Sequence, residues 1–96
     1  MMYPYGMLVM MFRIPGCRSL KEKRGLIKPL IADLRKKFHV SVAEVDSQDS
    51  WQETVISCAL AGSDRVTVEK CLQAIPGYCE NAHRSFQLIH QEMDIF

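Results

Sequence analysis

The chain has 96 residues, 48% of them hydrophobic, and a formal net charge of +1. A chain of this length buries about two thirds of its unfolded surface and supports a single core, so one domain spanning residues 1–96 is expected. No apolar run approaches the ~20 residues that cross a bilayer, and the start MMYPYGMLVMMFRIPG has neither a basic leader nor a small-residue cleavage site. A cytoplasmic protein without a membrane partner is therefore expected.

Cys17, Cys58, Cys71 and Cys79 are even in number, but the apolar content supplies a core without a disulfide framework, and free thiols are expected. The near-neutral total conceals a separation of charge. Residues 13–37 hold nine basic and two acidic side chains, a net +7, whereas residues 38–96 hold three and nine, a net −6. Such asymmetry marks a surface suited to an anionic partner: nucleic acid, a phosphorylated ligand or an acidic protein patch.

In chain order, Met7 to Ile14 is a continuous apolar run closed by Pro15-Gly16, which predicts a central strand. Ser19-Leu-Lys-Glu22 has the form of a capping box, in which a hydroxyl and a carboxylate satisfy free amides at a helix start. Leu20, Ile27, Leu30, Ile31, Leu34 and Phe38 recur at helical spacing, predicting a helix to about Phe38, kinked where Pro29 deprives the Gly25 carbonyl of its donor. Val40 to Asp46 alternates as a second strand, Ser47 to Ser50 is turn chemistry, and Glu53 to Ala61 is a third strand, so these two form a hairpin. A second helix over about residues 64–82 keeps one phase through Pro76-Gly77, where it either kinks or breaks. Phe86 to Ile95 is the last strand. The order β-α-β-β-α-β is the split βαβ plan of an α+β, ferredoxin-like domain: a four-stranded antiparallel sheet with both helices on one face.

Two stretches carry a family resemblance. R-I-P-G-C-R-S-L-K-E-K-R (Arg13 to Arg24) and V-S-V-A-E-V-D-S-Q-D-S-W-Q (Val40 to Gln52) resemble the small bacterial family of domain of unknown function 503, the YlxP-like proteins. The resemblance is colinear over nearly the whole chain. It implies a ferredoxin-like fold, a cytoplasmic bacterial protein and no established activity. It also implies a genetic neighbourhood of translation-initiation and ribosome-maturation genes, which is association and not mechanism. Pro29 and Pro76-Gly77 depart from the family's helices.

Within the basic segment, Arg24, Arg35, Lys28 and Lys21 fall at about 40°, 60°, 80° and 100° around the first helix from Leu20, while the apolar stripe centres near about 330°. The four cations form one stripe about 21 Å long at the helical rise, with no acid on it. A solubilising helix face is the ordinary meaning of such a stripe. Two local costs argue for more. Lys21, Lys23 and Arg24 crowd the positive end of the helix dipole against Glu22 alone, and Arg24 repels Lys28 at i,i+4. An anion on the amides of Cys17 to Lys21, with Arg18 beside it, would offset both. Arg18, Lys21, Arg24, Lys28 and Arg35 are thus the candidate polyanion-binding residues.

Trp51 is a candidate stacking platform for a base, although an aromatic here also caps a hairpin or fills a subunit contact. Glu44, Asp46 and Asp49 lack the spacing and glycine of a calcium loop, and Cys79-x3-His83 lacks a second pair of zinc ligands. Cys17 lies at a helix start, where thiols are activated, but no base is adjacent in sequence. His39, His83 and His90 show no triad arrangement. No catalytic residue, metal or cofactor is expected.

Three classes of function follow. The first is a module for RNA or a ribosomal particle, gripping phosphates along the first helix. Sheet-face readers of this topology place aromatics in the central strands, and E-T-V-I-S-C-A-L-A has none, so an RNA contact would be helical and led by shape. The second is a phosphate-ester enzyme similar to acylphosphatase, with Arg18 in the loop after the first strand but no asparagine-bearing glycine motif near the third. The third is a homo-oligomeric scaffold or partner-binding module. Met7, Val9 and Met11, joined by Ala43, Val45, Val55, Ser57 and Ala59, make the open sheet face apolar enough to predict a homodimer.

Overall fold

The structure, a computed structural model, describes residues 3–96. Its elements are β1 (Tyr5–Arg13), α1 (Leu20–Phe38), β2 (Ser41–Asp46), β3 (Glu53–Ala61), α2 (Arg65–Ala82) and β4 (Gln87–Ile95). They form a four-stranded antiparallel sheet of order β2-β3-β1-β4, with the helices on one face. β1 is central, as its apolar run predicts. It starts at Tyr5 because Tyr5 and Gly6 find ladder partners in Ala61 and Leu60.

The core lies between sheet and helices. Leu8, Met10 and Phe12 alternate toward it from β1 and Ile56 and Cys58 from β3, meeting Ile27, Leu30 and Leu34 of α1 and Val68, Leu72, Ile75 and Cys79 of α2. Phe86 closes one end, edge-on to Phe12 at 5.6 Å between ring centroids. α2 approaches β1 so closely at Gly6 that a Cβ there would sit 2.7 Å from the Leu72 and Ile95 methyls.

The helix caps form as the sequence requires, with one shift. Ser19 Oγ accepts from the Glu22 amide at 3.0 Å, while the Glu22 carboxylate accepts from the Arg18 amide at 3.2 Å, one residue outside the helix cap. Asp64 caps α2 through the Thr67 amide and hydroxyl. Both helices run unbroken through their prolines. Gly25 and Pro29 are exposed, so the Gly25 carbonyl that loses its donor is open to water. Pro76 is buried beside Ile75 and Cys79 on the core side of α2, and the break there does not occur.

Candidate functional site

α1 packs over β2, the edge strand of the sheet, so its basic stripe borders that edge. Lys21, Arg24, Lys28 and Arg35 are all exposed, as is Arg18 before the helix. Arg35 Nη2 donates to the Val42 carbonyl at 3.0 Å, fastening one end of the stripe to β2. Among the described residues, none of the five has a carboxylate within the 4.0 Å of an ion pair. The anion cradle expected at the helix start is partly filled by the protein itself. The Cys17 amide donates to the Ile14 carbonyl at 3.3 Å and the Arg18 amide to Glu22. Two of the five amides from Cys17 to Lys21 are therefore taken.

Lys23, counted above among the cations that crowd the helix start, is buried, with its side chain 2% exposed. Its ammonium donates to the carbonyls of Ser47 at 2.6 Å and Ser50 at 2.7 Å and pairs with Glu44 Oε2 at 3.0 Å. All three N–H donors have acceptors. The same Glu44 oxygen accepts from the Thr54 hydroxyl at 2.6 Å. Ser47, in the left-handed region at φ 62°, and Ser50, whose amide donates to the Ser47 carbonyl at 3.0 Å, bound a four-residue turn. Lys23 thus holds both ends of the β2–β3 turn. A sequence signal existed. Lys23 lies at about 300° on the helix, within the apolar stripe, and Glu44 shares the strand phase of the buried Val40 and Val42.

Between α1 and this turn is a cavity of about 280 Å³ lined by Leu20, Lys23, Arg24, Ile27, Lys28, Glu44, Gln48 and Asp49. The stripe is free of acids along the helix but not in space, because the β2–β3 connection brings Glu44 and Asp49 against it. Glu44 is neutralised by Lys23. Asp49 has no ion-pair partner among the described residues.

Trp51 is 53% exposed and does not line this cavity. The β1–β3 ladder continues past Arg13 and Glu53 through the Ile14 amide and Gln52 carbonyl at 2.8 Å, and the Gln52 side chain donates to the Cys17 carbonyl. Gln52 keeps the helix-side phase, which gives Trp51 the phase of the open sheet face. On that face Met7 and Val45 are 40% and 50% exposed, Val9, Met11 and Ala59 are half-buried, and Tyr5 stacks on Phe96 at 5.1 Å. Val55 and Ser57 are already covered by their neighbours within the chain. Val45 lies at a bulge between Glu44 and Asp46 on the edge strand.

A second polar cluster ties α1 to α2. Asp33 Oδ2 accepts from the Tyr78 hydroxyl at 2.5 Å and lies 2.7 Å from His83 Nε2, while the Lys37 ammonium sits 4.9 Å from the Tyr78 ring centroid. The Tyr78 and then the His83 hydrogen bond hold the Asp33 carboxyl below its ordinary value, and the bond to Asp33 raises the Tyr78 phenol. The cysteines are free. Cys17, considered above as an activated thiol, is buried with its Sγ donating to the Ser19 carbonyl at 3.6 Å, out of reach of solvent reagents. Burial pushes the Cys58 and Cys79 thiols up to about 12. No group of three or more His, Cys, Asp or Glu side chains able to hold a metal occurs among the described residues, and no helix among them is long and apolar enough to cross a membrane.

Comparison with known proteins agrees with this fold. The family described as "Protein of unknown function (DUF503)" matches residues 5–93. "Uncharacterized protein YlxP" of Bacillus subtilis (strain 168) is 40% identical over 63 residues, 66% of this chain and 68% of that protein. Two solved structures share the chain trace at low identity. The VAO-type flavoprotein MtVAO615 from Myceliophthora thermophila C1 superposes with a TM-score of 0.57 at 14% identity, over 98% of this chain but 16% of the flavoprotein. A single-site mutant of SnoaB, a cofactor-independent oxygenase from Streptomyces nogalater, gives 0.53 at 17% identity over 96% of this chain and 90% of SnoaB. At these identities the likeness concerns the fold.

Proposed function

Because this chain belongs to the DUF503 family, defined only as proteins of unknown function, we propose a role from its own surface: an RNA-binding module, acting on RNA or a ribosomal particle through the β2-side edge of α1. The observation that carries it is the row of Arg18, Lys21, Arg24, Lys28 and Arg35, all exposed and none ion-paired among the described residues. A row about 21 Å long spans three or four backbone phosphates. The net −6 over residues 38–96 includes Glu44, neutralised by Lys23, and Asp49 beside the stripe, and the remaining acids disfavour a polyanion on the rest of the surface.

The test is binding of single-stranded RNA across a salt series. Three or four phosphate contacts give a log-log slope of about −2 to −3. Reversing Arg24 and Lys28 to Glu should remove most of that slope, whereas reversing Arg65 and Lys70 on α2 should leave it nearly intact. Equal loss from both pairs, or no binding to RNA or ribosomal particles at low salt, would refute the reading.

The open sheet face favours a second, compatible reading, a homodimeric scaffold. Tyr5, Met7, Val9, Met11, Val45 and Phe96 present apolar surface on this face, bordered along β4 by His90, Glu92 and Asp94 opposite Met11, Val9 and Met7. Sedimentation at ~100 μM would populate any dimer of micromolar affinity, and a clean monomer there excludes it. The phosphate-ester reading has less support. The chain's one asparagine, Asn81, bonds the Gly77 carbonyl in the last turn of α2, and the Arg18 amide is occupied.

A further inference from the structure

The cavity beside the basic stripe has a feature that phosphate binding does not use. Gln48 and Asp49, the two central residues of the turn that Lys23 holds at Ser47 and Ser50, both line it. Burying an ammonium costs several kcal/mol unless its partners are well placed, and here all of its donors go to the two ends of the turn and to Glu44 beside it. The turn is therefore held in one arrangement relative to α1. That is the support a binding constellation needs from the residues behind it.

The lining chemistry is mixed in a particular way. Arg24 and Lys28 supply cations, Leu20 and Ile27 an apolar wall, and Asp49 and Gln48 hydrogen-bond acceptors. A bare phosphate would meet the Asp49 carboxylate, and a bare divalent cation would meet Arg24 and Lys28. A nucleotide matches both sides, since it joins N–H donors and a flat apolar ring to an anionic backbone. At about 280 Å³ the space lies at the small end of ligand pockets and suits one base rather than two. Among the bases, guanine places a ring N–H beside an exocyclic amine on its Watson–Crick edge, a pair of donors that one carboxylate accepts together.

We infer that this cavity takes a single unstacked guanine of an RNA strand, with Asp49 accepting from its Watson–Crick donors, Gln48 beside it, and Arg24 and Lys28 on the flanking phosphates. This rests on the RNA-binding reading and narrows it to single-stranded RNA with a base preference.

The test compares a twelve-residue uridine RNA with the same strand carrying one central guanosine, at several salt concentrations. The guanosine strand should bind about 5- to 150-fold more tightly, the span of one bidentate base contact. Asp49→Asn, on an exposed turn, should bring the two strands within about twofold while keeping the salt slope, because a carboxamide presents a donor where the carboxylate accepted. Inosine in place of guanosine, lacking the exocyclic amine, should lose part of the preference. Equal binding of both strands by the unaltered protein, or a preference that survives Asp49→Asn, overturns the inference while leaving phosphate binding intact. Free guanosine monophosphate, followed by the backbone amide signals of Gln48 and Asp49, separates the two readings from the other side. Shifts that vanish in Asp49→Asn, with no binding of the uridine strand, would keep the pocket and refute the polyanion reading. No shift and no binding would refute both.

Discussion

α1 and α2 bury apolar stripes of similar character on one sheet face, but α1 adds a buried charge and α2 a close backbone approach. Over β2, Lys23 reaches past the stripe to Glu44 and the carbonyls of Ser47 and Ser50. Over β1 and β4, α2 settles onto Gly6, where Leu72 and Ile95 leave no room for a methyl group. The charge of the two helices differs as well. α1 carries seven basic and two acidic residues, whereas α2 carries two of each. α2 docks without a buried lysine or a cationic surface, so the two helices meet the same sheet by different means: α1 through a buried charge that also ties down the β2–β3 turn, α2 through close backbone approach.

The largest effect that could break this contrast is at Lys23. Lys23→Met leaves Glu44 without its counter-charge and the turn carbonyls without their donor, and urea denaturation should show a loss of about 3–5 kcal/mol. Removing Glu44 as well, in Lys23→Met with Glu44→Leu, should recover part of that loss, because no uncompensated charge then remains. A single-variant loss under about 1 kcal/mol would mean that α1 docks as α2 does.

On the α2 side, Gly6→Ala forces a Cβ against Leu72, Ile95 and Val68. The expected loss is about 1–3 kcal/mol, moderated because the atoms in the way are ends of flexible side chains. A neutral result would remove close approach as the distinguishing feature of α2.

The cluster that joins the helices should contribute less and be readable through pH. The folded Asp33 value lies below its ordinary 3.8, so its contribution is complete above that value and is lost as pH falls through the folded one. The stability gap between the unaltered protein and Asp33→Asn should therefore close as pH falls below the ordinary carboxylate value toward the folded one. A gap that persists at the acid end would assign the effect to packing.

The smallest effect is at Lys28. Lys28→Ala should change stability by no more than about 0.5 kcal/mol, because the side chain is exposed and has no ion-pair partner among the described residues, while RNA affinity falls and the salt slope shrinks by about 0.7. A stability loss comparable with that of Lys23→Met would show the stripe to be structural.

Local pattern alone was enough for the element order, the Ser19 cap of α1, the central place of β1 and the apolar side chains of β1 on the open face. Each of these is written in local periodicity and cap chemistry, which neighbouring residues settle among themselves. It also placed Lys21, Arg24, Lys28 and Arg35 on one exposed stripe, a consequence of helical spacing alone. Tertiary structure decided the rest, because those features depend on residues distant in sequence being brought together. Lys23 and Glu44 stand 21 positions apart, each a charge in an apolar phase, and their periodicities flag both without naming them as partners. The Asp33, Tyr78 and His83 cluster spans 50 positions and exists because two crossovers, each joining strands that run in the same direction, set both helices on one sheet face. The cavity needs α1 and the β2–β3 turn at once. No periodicity within either segment carries it, since what holds the turn is a side chain from the other.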